Sequence, residues 1–133
     1  MMRKQIYRVL ITDLPQTNEF LVSEDYLADC IQQHQDSSNL TVIAHNGAIV
    51  MTVENEVISD CCNQQLKEKL ETSLKDIEAN IQLGTWEPLQ LFKISQEVFF
   101  IETYFVYSEN KEQAEKDFND WTIFEPIEIS LVV

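Results

Sequence analysis

Five cysteine and histidine side chains in this sequence are candidate zinc donors: Cys30, His34, His45, Cys61 and Cys62. Cys30 and His34 stand one helical turn apart, a spacing at which two ligands can reach one zinc ion. No Cys-x-x-Cys knuckle accompanies them, and both fall on an apolar stripe where core packing accounts for a cysteine or a neutral histidine. No metal is expected. Cys61 and Cys62 open the longest periodic segment of the chain, and a thiol in the first turn of a helix meets unpaired backbone N–H groups that suit a nucleophile, although Asp60 and the acidic background oppose it. On this reading Cys62 lies at the edge of the buried stripe and Cys61 points off it, which makes Cys61 the candidate reactive thiol. An enzyme built on it would need His34 or His45 as its base. The only glycines, Gly47 and Gly84, are each accounted for by a turn or a helix stop, so no phosphate-cradling loop remains and no cofactor is expected.

Charge is the strongest compositional feature, with a formal net charge of −14 over 133 residues. It is unevenly spread. Arg3, Lys4 and Arg8 cluster at the start, and no lysine or arginine follows until Lys67, while acids from Asp13 to Asp60 intervene. Such a field repels nucleic acid and anionic membrane and speeds encounter with a basic partner. Trp86, beside Pro88, and Trp121, at the end of the last helix, sit near element boundaries where an aromatic anchor ringed by acids would suit an interface. The expected function is a small acidic, non-catalytic binding protein that engages a basic surface on a protein partner, of inhibitor, immunity or nucleic-acid-mimic type. Its candidate contacts are Glu24, Asp25, Asp29, Glu54, Glu56, Trp86 and Trp121. Two other classes compete with it: a homo-oligomeric module closed through a sheet edge, and a small thiol-dependent enzyme using Cys61.

The element that must organise the rest runs from Ser59 to Gly84. Cys62, Leu66, Leu70, Leu74, Ile77 and Ile81 recur at steps of three and four, which at 100° per residue confines them to an arc of roughly 120°. Ser59 or Asp60 is the expected cap and Gly84 the stop. Gln5 to Thr12 reads as a first strand ended by Pro15, followed by a connecting segment. Ser23 caps a helix reaching His34 or Gln35, with Val22 stapled to Leu27. Leu40–Val53 reads as a hairpin about a type I′ Asn46-Gly47 turn. Its register places Leu40, Val42, Ala44, Ile49, Met51 and Val53 on one apolar face.

Glu54-Asn55-Glu56 reads as a second turn, and Val57-Ile58 adds a stub of strand before the long helix. A second hairpin pairs Leu89–Ile94 with Val98–Tyr107 across Ser95-Gln96-Glu97. Asn110 with Gln113 forms a capping box for a helix to Trp121, and Ile127–Val133 is a terminal strand. The order is β-α-β-β-α-β-β-α-β: an α+β two-layer sandwich, with a mixed, mainly antiparallel sheet and three helices, forming a single domain over residues 1–133. The odd, unpaired cysteine count and the absence of a signal-like or membrane-spanning stretch point to a cytoplasmic protein.

Overall fold

Alternation of apolar side chains in the first dozen residues becomes a strand in the computed structural model, which describes residues 5–11, 19–34, 39–54, 57–97, 101–122, 126 and 128–132. The elements are β1 (Ile6–Ile11), β2 (Glu19–Ser23), a single 3-10 turn (Glu24–Tyr26) leading into α1 (Leu27–Gln33), β3 (Asn39–Ile43), β4 (Ile49–Glu54) and β5 (Val57–Cys61). Then come α2 (Gln64–Leu83), β6 (Gln90–Glu97), β7 (Ile101–Ser108), α3 (Lys111–Trp121) and β8 (Glu128–Leu131). All eight strands join one sheet in the order β5-β4-β3-β1-β2-β7-β6-β8. Every pairing is antiparallel except β2 with β7. The molecule is an α+β sandwich of three helices on a mixed sheet, as the apolar periodicities require.

Successive strand residues face opposite ways, and both faces of the central strands are buried. Tyr7, Val9 and Ile11 of β1 and Phe20 and Val22 of β2 pack in one core with Leu27 and Ile31 of α1 and Leu66, Leu70 and Ile77 of α2. Ile6 and Leu21, from the alternate positions, pack in a second core with Phe92, Ile94 and Val106 and with Ala114 and Phe118 of α3. So α1 and α2 back one face on the β5 side of the sheet, and α3 backs the other face on the β8 side. Burying a leucine such as Leu70 contributes about 1.5–3 kcal/mol relative to leaving it exposed.

Two strands exceed the sequence expectation. The segment read as a connection after Pro15 contains β2, and the stub at Val57-Ile58 extends through Cys61, where Met51 stands opposite Cys61 and Thr52 opposite Asp60. That pairing displaces the start of α2: its cap is Asn63, not Ser59 or Asp60, and the Asn63 side chain accepts a hydrogen bond from the Leu66 N–H at 3.1 Å. Gly84 ends the helix at φ 76°, the left-handed conformation expected of it. Leu66, Leu70 and Ile77 are buried and Leu74 partly so, whereas Ile81 at the trailing end is exposed. At the other helix, Ser23 precedes the 3-10 turn but makes no side-chain cap bond.

The first hairpin keeps the expected register from Leu40–Val53 to Val42–Met51, then shifts. Ala44 N–H donates to Ala48 O and Gly47 N–H to Ala44 O, each at 2.9 Å, so the loop holds three residues with Gly47 at φ 89°. This is the three-residue turn with a glycine bulge in place of the two-residue turn. Its consequence is a swap: Val50 goes into the core and Ile49 is 62% exposed. In the second hairpin, Ser95, Gln96 and Glu97 extend β6 instead of turning, β7 is described from Ile101, and the expected strand start at Val98 lies outside the described residues. So do Pro15, Asn55 and Ile127.

Candidate functional site

The parallel pair is where the two parts of the sheet meet. Leu21 of β2 stands opposite Val106 of β7, and the strands end level at Ser23 and Ser108. From Ser23 the chain turns into α1 on one face; from Ser108 it passes Asn110, whose side chain accepts from the Gln113 N–H at 2.8 Å, into α3 on the other. The reciprocal half of the expected capping box is not made, because Gln113 Nε2–H donates to Asp117 at 2.9 Å instead. When the helices after two adjacent parallel strands leave to opposite faces, a crevice opens at the strands' carboxyl ends.

A cavity of about 670 Å³ occupies that position. Asp25, Tyr26 and Asp29 line it from the start of the first helical segment, Glu87 to Gln90 from the approach to β6, and Glu109 from the end of β7. The lining holds carboxylates from all three segments and, among the described residues, no lysine, arginine or histidine. Two contacts hold the walls. Gln33 brackets Leu89, accepting its N–H at 2.7 Å and donating to its carbonyl at 3.1 Å, and Trp86 Nε1–H donates to Asp29 Oδ1 at 3.0 Å. The Tyr26 hydroxyl is driven well above its ordinary pKa by burial first and then by the charge and hydrogen bond of Glu109, with Asp117 and Asp25 adding to it. It therefore stays a neutral hydroxyl beside the acids. Chemically, the crevice can receive a cationic group and flank it with several acceptors.

Of the residues singled out in the sequence, the fold brings Asp25, Asp29 and Trp86 to this one place. Glu24 lies just before it, but its carboxylate faces Lys69 Nζ at 3.4 Å and the Tyr7 hydroxyl at 3.4 Å. Glu54 closes β4 at the end of the sheet away from Ser23, as the antiparallel registers of β1 with β2 and β3 require. Glu56 lies outside the described residues. Trp121 is elsewhere, its ring 4.4 Å from that of His45 and under Arg8. Sequence reasoning missed Glu87 and Glu109. Their signal was positional: each borders a strand end, Glu87 three residues before β6 and Glu109 directly after β7.

The thiols and histidines do not assemble as the enzyme reading would need. Cys61 ends a strand instead of opening a helix, and its Sγ–H donates to the Asn63 carbonyl at 3.1 Å. Cys62, expected at the edge of the core, is exposed. Cys30 is fully buried and its thiol is pushed up to about 12 by burial, with Asp29 adding to it. His34 Nε2 lies 2.9 Å from the Tyr107 hydroxyl, and His45 Nε2–H donates to the Trp121 carbonyl at 2.8 Å. Among the described residues, no group of three or more His, Cys, Asp or Glu side chains could hold a metal, and no helix is long and apolar enough to cross a membrane. Comparisons with protein-family models, with curated proteins and with solved structures find no match.

Proposed function

We propose that this protein is a small acidic binding protein, non-catalytic in action, which takes a basic segment of a protein partner into the crevice between β2 and β7. The supporting observation is the convergence of Asp25, Asp29, Glu87 and Glu109 on one cavity with no basic side chain lining it among the described residues. Aliphatic and aromatic walls from Leu89, Pro88 and Tyr26 suit the methylene stem of an arginine or lysine while the carboxylates meet its charge. The net charge of −14 adds a long-range attraction that raises encounter rates before contact.

A labelled arginine-rich peptide, followed by fluorescence anisotropy across a salt series, tests this. The variant Asp25→Asn/Glu87→Gln/Glu109→Gln is compared with Glu68→Gln/Glu71→Gln/Glu78→Gln, which removes the same charge from the exposed face of α2. The crevice set is expected to weaken binding by about tenfold or more and to reduce the salt slope, as loss of charge-assisted contacts does. The α2 set should change affinity only slightly. Equal losses from the two sets would reduce the acidity to a general field and remove the crevice as a site.

A further inference from the structure

Of the asparagines in the chain, Asn46 alone is followed by glycine. The pair stands in the β3–β4 loop, where His45, Asn46, Gly47 and Ala48 are all exposed. Lacking a Cβ, Gly47 leaves its own nitrogen uncrowded, and nothing lies within 4 Å of the place a Cβ would take. Ala48 N–H donates to Asn46 Oδ1 at 3.0 Å, an Asx turn that pins the carboxamide to the loop backbone and aims a donor at its carbonyl oxygen. The Gly47 N–H is itself held by the Ala44 carbonyl at 2.9 Å. One bond of an exposed turn thus restrains this nitrogen, and opening in such a loop costs little.

We propose that Asn46-Gly47 is a self-modifying site, at which the carboxamide becomes aspartate or isoaspartate, and that the change loosens the hold of this loop on α3. The Gly47 nitrogen attacks Asn46 Cγ. The N–Cγ bond forms, the Cγ–Nδ2 bond breaks, and ammonia leaves with the proton that Gly47 gave up. The oxyanion formed on the way is Oδ1, the atom to which Ala48 N–H already donates. Water then opens the cyclic imide at either carbonyl. Opening at Cγ yields aspartate, and opening at the main-chain carbonyl yields isoaspartate, which carries the backbone through Cβ and lengthens it by a methylene. No oxidant or reductant takes part, and water is the co-reactant. His45, the residue just before, donates from Nε2 to the Trp121 carbonyl at 2.8 Å, with its ring 4.4 Å from the indole. That carbonyl closes α3, where no following helical turn satisfies it. A lengthened loop shifts His45 and leaves the carbonyl to solvent.

Ageing the full chain in mildly alkaline buffer, with peptide mass spectrometry and enzymatic methylation of isoaspartate as readouts, tests the chemistry. The same chain unfolded in urea serves as the clock. The folded wild type is expected to convert at Asn46 before any other asparagine, at a rate that rises with hydroxide because the nitrogen must shed its proton. Hydrogen exchange then compares the aged, isoaspartate-bearing fraction with Asn46→Ser kept under the same conditions, a variant whose hydroxyl can make the same kind of turn bond but cannot form the imide. Amides in the last turn of α3 are expected to exchange severalfold faster in the aged fraction, and those of α2 at an unchanged rate. Folded protein that keeps its Asn46 carboxamide after the urea-unfolded chain has lost it overturns the proposal. So does conversion spread evenly over the other asparagines. Equal exchange in α3 for the two forms overturns the release of His45.

Discussion

The two cores of this sheet are built on different scales. On the α1–α2 face, twenty buried side chains among the described residues form one cluster, so the loss of any one is spread over many neighbours. On the α3 face only seven do, and Phe118 is the largest fully buried one. The smaller core also has polar groups at its margin. Ser23 and Ser108 are fully buried and the Gln96 carbonyl oxygen is unpartnered, although Gln96 Nε2–H and the Tyr104 hydroxyl both donate to Glu102. A core with few members and unsatisfied polar neighbours has less with which to offset a cavity. The difference teaches where the molecule is brittle: under α3, not under the long helix.

Truncating one large side chain in each core gives the sharpest test. Phe118→Ala should cost about 3–5 kcal/mol and Leu70→Ala about 2–5 kcal/mol, with the α3 variant showing the lower denaturant midpoint. Glu68→Ala, on the wet face of α2, should stay within about 0.5 kcal/mol of wild type. A lower midpoint for Leu70→Ala would break the comparison.

Helix caps probe the same contrast more gently. Asn63 and Asn110 cap α2 and α3 through one side-chain bond each, and alanine at either should cost about 1 kcal/mol. Native-state hydrogen exchange separates their effects. Asn110→Ala should speed exchange in α3 without touching α2, and uniform acceleration across both helices would mean that the two cores open together.

The smallest effect concerns His34, which belongs to the larger core's surroundings, stacked on Phe20 and beside Tyr107. Burial lowers its pKa from the ordinary 6.5, so the folded state binds fewer protons than the unfolded one. Stability from this group is complete above that value and is lost as pH falls from there through the folded pKa. Denaturant midpoints measured from about pH 7.5 to about pH 5 should fall less steeply in His34→Gln than in wild type. Parallel slopes would show that the imidazole does not titrate differently in the two states.

Periodicity made the larger core legible. Leu66, Leu70 and Ile77 declared α2, and Leu40, Val42, Met51 and Val53 declared the hairpin, because each set repeats over several turns or rungs. Local chemistry misled where two solutions had the same ingredients. Ser59 and Asp60 are as good caps as Asn63, and only the partner strand β4 decides that they belong to β5. Asn46-Gly47 serves two turn types, and the bulge that moves Val50 inward is chosen by the fit of the whole hairpin. Of the crevice, Asp25, Asp29 and Trp86 stood out for charge or aromatic character. What joins them to Glu87 and Glu109 is the pairing of Leu21 with Val106, a contact between distant segments that no short window encodes.

That parallel contact has a further consequence. Every strand on the β5 side precedes Gly84 in the chain and every strand on the β8 side follows it, so the sheet is two sequence-local pieces laid edge to edge. Each piece closes shorter loops, whereas the joint between them closes a loop of most of the chain, at a larger entropic cost. The crevice takes its walls from both pieces, Asp25 and Asp29 from one and Glu87 and Glu109 from the other. An occupant gripped by both would therefore act as a splint across the joint, and its binding free energy would add to the resistance of the two pieces to parting.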